Sequence, residues 1–121
     1  MEMDANSRAQ EFRDRTKSFA MRVVRLYQSL PSRPDAQILG KQLLRSGTSV
    51  AANHRAVYRA RSKAEFISKI CVVLEEADES VFWIELLGDC GIVPKRKLEA
   101  LHKEAIELVK IFSAARRTSK L

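Results

Sequence analysis

The chain has 121 residues, 45% hydrophobic and 31% charged, with a formal charge of +7 at neutral pH. That length gives one domain whose core needs neither disulfide nor metal, and the composition is that of a soluble globular protein. No apolar run approaches the roughly 20 residues that span a bilayer, the polar start MEMDANSRAQ is not a signal peptide, and Cys71 and Cys90 make no disulfide framework, so a reducing cytoplasm is the expected location.

The elements follow from period and punctuation. Phe12, Thr16, Phe19, Val23, Leu26 and Leu30 recur at spacings of four and three, widened by Ala20, Val24 and Tyr27. That is the seam of a helix over residues 8–30. Pro31 ends it, and Pro34 is expected to keep the short connection out of helix. Asp35 is the expected N-cap of a second helix over 35–61, with Leu39, Leu43, Ser46, Val50, Asn53, Val57 and Ala60 inward. Ser62-Lys63-Ala64-Glu65 reads as a capping box, so a third helix over 62–89 follows through a very tight turn. Its seam is Phe66, Ile70, Val73, Ala77, Ser80, Ile84 and Leu87, flanked by Ile67, Leu74 and Val81. Gly88 and Gly91 are expected to terminate it. Pro94 opens a fourth helix over 94–118, with Leu98, Leu101, Ala105, Leu108, Phe112 and Ala115 inward. No segment carries a strand signal. Four helices of matched length, roughly 35–40 Å each, with short connections predict an all-α, up-down-up-down antiparallel four-helix bundle.

Charge is distributed by helix. Residues 8–30 carry six basic and two acidic groups, and 35–61 carry five and one. Residues 62–89 invert this with two basic and seven acidic, while 94–118 carry seven and three. Three basic helices and one acidic helix suit a polyanion on the basic faces. They equally suit pairing of the acidic helix with basic surface on another copy.

Small residues crowd the middle of the second helix: six of the nine from Arg45 to Asn53 are Gly, Ala, Ser or Thr. An interior glycine costs about 1 kcal/mol relative to alanine, so Gly47 is expected where a backbone or a bulky side chain such as Trp83 comes close. A ligand contact there is the alternative. Ser46 and Asn53 on the seam need partners if buried, and Glu75, Glu79 and Ser80 are the candidates. Ser46, Asn53, Glu75 and Glu79 are accordingly assigned to a buried polar network or interface.

Two catalytic patterns are incomplete. The acidic run at 75–79 resembles the carboxylate sets of di-iron bundles, which need two Glu-x-x-His motifs. Glu99 to His102 fits one, but His54 has Ala51 three residues before it. Arg96 and His102 match a spacing found in some helical ribonucleases, where the histidine would be the acid–base group. On a regular helix the two lie about 240° apart. No motif implies a cofactor or a metal.

The basic residues cluster. Arg13, Lys17, Arg22 and Arg25 line the first helix; Arg55, Arg59, Arg61 and Lys63 surround the second turn; Lys95, Arg96, Lys97 and Lys103 crowd the start of the fourth helix. In an antiparallel bundle the second turn shares a pole with the chain's N-terminal end. Arg55, Arg59, Arg61, Lys63, Arg13 and Lys17 are therefore the candidate phosphate contacts, with Tyr58 placed to stack on a base.

The segments LLRSGTSVAAN (43–53), RSKAEF (61–66) and EEADE (75–79) followed by Trp83 resemble a known family. It is that of the bacterial four-helix-bundle proteins named for open reading frames in intervening sequences of large-subunit ribosomal RNA genes. The likeness runs from Phe12 to about Phe112. It implies an antiparallel four-helix bundle assembled into a ring-shaped homopentamer. It also implies similarity to the accessory proteins of diversity-generating retroelements, whose basic barrels bind nucleic acid and a reverse transcriptase. The expectation is thus a cytoplasmic, non-enzymatic homo-oligomer that binds nucleic acid, RNA above all. The alternatives are a protein scaffold assembled through its acidic third helix and an RNA-cleaving enzyme using His102.

Overall fold

The computed structural model describes residues 5–119 and holds four helices: α1 (Ala5–Ser29), α2 (Pro34–Val57), α3 (Lys63–Asp89) and α4 (Lys95–Ser119). They run up, down, up and down as the spacing predicts. α1 packs along α2, α2 along α3 and α3 along α4, whereas α1 and α4 meet over a shorter stretch. There Arg15 donates two hydrogen bonds to Glu104, Nε to Oε2 at 2.8 Å and Nη2 to Oε1 at 2.9 Å. Each helix contributes its apolar stripe to one core, with Phe19 and Val23 of α1 against Leu43 and Val50 of α2. Ile84 and Leu87 of α3 and Leu108 and Phe112 of α4 complete it.

The helix ends correct several expectations. Pro34 does not hold the first connection open; it is the first residue of α2, where its missing N–H costs nothing. Arg33 is the N-cap in extended conformation, φ −68° and ψ 153°, as a residue before proline prefers. Asp35 lies inside the first turn, its Oδ1 accepting from Ala36 N at 2.9 Å and Arg33 Nε at 2.9 Å. At its far end α2 stops at Val57 rather than 61. The N–H groups of Arg59 and Ala60 turn back to Ala56 and Val57 at 3.0 and 3.2 Å. This tightening frees Ser62 to adopt φ −155° and ψ 163° and cap α3, accepting from Glu65 N at 3.0 Å, the N-cap half of the box. The Glu65 carboxylate faces Arg61 and Lys69 at 3.8 Å. Ala60 is therefore off the seam.

Gly91, not Gly88, ends α3: it takes φ +69°, a conformation that favours glycine. Gly88 lies within the helix and serves packing. A Cβ there would fall 3.2 Å from Leu98 Cδ1 and Lys95 Cγ of α4.

Candidate functional site

At the pole formed by the α2–α3 turn, four side chains stack, three from helices and one, Tyr58, from the residue that caps α2. His54 of α2 is 1% exposed. Its ring meets Tyr58 edge-on with centroids 5.3 Å apart and Phe112 of α4 at 5.4 Å. The guanidinium of Arg13, from α1, lies 5.9 Å from the centre of the Tyr58 ring, within cation–π range. Burial, reinforced by the Arg13 charge, pushes the His54 pKa down to about 4, so the imidazole is neutral at physiological pH. Its Nε2 is 3.4 Å from the Tyr58 hydroxyl, and its Nδ1 is buried with no hydrogen-bond partner among the described residues. Burial also raises the Tyr58 pKa.

Around this stack the predicted bases gather. Arg55, Arg59, Arg61 and Lys63 are exposed; of these, Arg61 alone has an ion-pair neighbour among the described residues, Glu65 Oε2 at a loose 3.8 Å. Arg13 is half-buried and donates to Gln10 Oε1 at 2.8 Å. Lys17 is exposed one turn further along α1. The topology adds two bases that sequence reasoning did not place here. α4 ends at this pole, one turn beyond Phe112, with Arg116 and Arg117. Only the chain order of the helices could have signalled them.

The polar-network assignment divides. Ser46 and Ser80 are fully buried and share a hydrogen bond of 2.9 Å between α2 and α3. Asn53 is not on the buried seam, because its neighbour His54 occupies that position. Asn53 Nδ2 instead donates to Ser49 O on its own helix at 2.9 Å. Glu79 lies at the α2–α3 margin, accepting from Arg45 Nη2 at 2.6 Å, while Arg45 Nη1 donates to Glu76 at 3.1 Å. Glu75 points to solvent. Gly47 marks a close approach: a Cβ there would sit 2.8–3.2 Å from Val23 of α1. The bulky neighbour is Val23, not Trp83, whose Nε1 faces Glu79 at 3.5 Å.

The opposite pole is arranged differently. His102 Nε2 lies 2.7 Å from Glu85 Oε2, and Lys95 Nζ 3.1 Å from Asp89. These residues rim an open cavity of about 290 Å³ floored by Ile84, Gly88 and Leu98. Arg96 is exposed on the first turn of α4 and does not pair with His102. Among the described residues no three His, Cys, Asp or Glu side chains converge as a metal site, and no helix is long and apolar enough to cross a membrane.

The sequence profile of a family described as 23S rRNA-intervening sequence protein matches residues 8–114. The chain is also similar to a protein of unknown function from the S23 ribosomal protein family of Bacteroides thetaiotaomicron, whose crystal structure was determined at 1.70 Å. The two are 33% identical, the match covers 90% of this chain and 97% of that one, and the TM-score is 0.83. No curated protein matches the chain significantly.

Proposed function

The chain belongs to the 23S rRNA-intervening sequence protein family, and from that premise we propose that it is a non-enzymatic, homo-oligomeric nucleic-acid-binding protein that favours structured RNA. The observation that carries the reading is the cluster of bases around the Arg13–Tyr58 stack, of which only Arg61 has an ion-pair neighbour among the described residues, the loose one to Glu65. Arg55, Arg59, Arg61 and Lys63 surround it, with Arg13 within it and Lys17 at its margin. Phosphate contacts of this kind release counterions, so affinity falls steeply with salt. Tyr58, 45% exposed, offers a partly open ring face for a splayed base. The homo-oligomer is a pentamer on the family resemblance. The cleavage alternative would set Arg96 beside His102; His102 is instead paired with Glu85 and Arg96 is exposed, while His54 lies in the core.

The test is a titration of structured RNA and duplex DNA at low and near-physiological salt. Arg59→Glu with Arg61→Glu should weaken RNA binding at least about tenfold and flatten the salt slope by about one for each phosphate no longer neutralised. Arg96→Glu with Lys97→Glu, at the opposite pole, should leave affinity within about twofold. Unchanged affinity in the first variant, with helicity intact, removes the assignment.

A further inference from the structure

α3 is apolar beyond the face it buries. Val72 and Phe82 point outward, 40% and 52% exposed, and Phe82 packs edge-on against Trp83 with ring centroids 4.9 Å apart. Exposed apolar side chains rimmed by polar ones mark a surface that a partner covers. The helical neighbours of Phe82, at three, four and seven residues, are Glu75, Asp78, Glu79, Glu85, Leu86 and Asp89. All but Leu86 are carboxylates. Glu79, Glu85 and Asp89 already face Arg45, His102 and Lys95. Glu75 and Asp78 are exposed and make no ion pair among the described residues.

α1 presents the complement. Met21, 45% exposed, helps line a shallow depression of about 290 Å³, formed entirely by α1 with Lys17, Ala20, Val24, Arg25 and Gln28. Lys17 and Arg25 stand one turn before and one turn after Met21. Both are exposed and make no ion pair among the described residues.

We propose that the Phe82 face of α3 docks antiparallel into the Met21 depression of a second copy of this chain, with Asp78, one turn before Phe82, facing Arg25, one turn after Met21, and Glu75 facing Gln28. This rests on the homo-oligomeric part of the reading above and names its contact. An exposed aromatic supplies the anchor and the charges supply register. The contact is heterologous: each copy offers its α3 face to one neighbour and its α1 face to another. Copies therefore add head to tail and form a ring when the rotation closes.

The test uses two variants of the full chain, each altered only at exposed positions. Phe82→Lys removes the anchor; Met21→Glu with Arg25→Glu spoils the depression. Wild type should sediment as a multi-chain species, and each variant alone as a 13.7 kDa monomer with unchanged helicity. An equal mixture should form a two-chain species, because one variant keeps the intact α1 face and the other the intact α3 face. Glu75→Lys with Asp78→Lys, which spares the apolar positions, should also dissociate the assembly. A variant that keeps the wild-type mass, or a mixture that stays monomeric, overturns the contact while leaving the oligomer to be explained otherwise. A monomeric wild type removes the homo-oligomeric reading together with the contact, and the RNA titration then stands alone.

Discussion

The two poles of the bundle each place a histidine among bases, yet they treat charge in opposite ways. At the α2–α3 pole His54 is buried and neutral, and the surrounding arginines have few carboxylates to face. At the α3–α4 pole His102 and Lys95 lie against Glu85 and Asp89, so part of the basic charge there is already satisfied. Counting bases along the sequence would rank the two poles alike. What separates them is which acidic residues the fold brings alongside, and that leaves one pole better suited to phosphate.

The largest test of this contrast is acid. His54 titrates near 4 when folded and near 6.5 when unfolded. Its folded pKa is depressed, so the associated stability is present above pH 6.5 and lost as pH falls toward 4. The loss amounts to about 3 kcal/mol. Denaturant midpoints measured from pH 7 to pH 4 should drop accordingly. His54→Leu should flatten that part of the profile and be at least as stable at pH 7, since it also removes the buried Nδ1, unpartnered among the described residues. A profile unchanged by the substitution would assign the acid sensitivity elsewhere.

A smaller effect is expected at Arg13. Arg13→Leu should cost about 0.5–1 kcal/mol by removing the cation–π interaction with Tyr58. It should also raise the folded His54 pKa, because the guanidinium charge helps to hold it down. NMR titration of the histidine reads that shift directly. The smallest effect belongs to the other pole. His102→Ala breaks a largely solvent-exposed pair and should change stability by less than about 1 kcal/mol. A large loss there would erase the distinction between the two histidines.

Most of the fold was legible because long helices announce themselves. Phe19, Val23, Leu43, Leu108 and Phe112 are buried where their spacing put them, and Ser62 caps where its box predicted. The phase of α2 near its end was not legible. From Val50 to Val57 the next inward residue can be three or four positions on, and neither Asn53 nor His54 is apolar enough to choose. Phe112, arriving from α4, makes the choice, and no local pattern reports it. The Ser46–Ser80 pair was partly readable from two polar residues on facing seams. The fates of Glu75 and Glu79 were not, since the decision lies in which carboxylate Arg45 reaches. The Arg116–Arg117 contribution to the site required knowing where α4 ends.

α1 is held along one flank by α2 and reaches α4 over a short stretch with an ionic tie, Arg15 to Glu104. Such a helix is the natural candidate for sub-global opening. Amide hydrogen exchange should therefore mark α1 as the first unit to leave, and added salt should weaken the tie that closes it. Once lifted, α1 exposes Phe19 and Val23 on itself and leaves the cleft around Gly47 empty. The same cleft in a neighbouring molecule accepts the same helix, so the seam that closes the bundle is also the place where two chains could exchange α1.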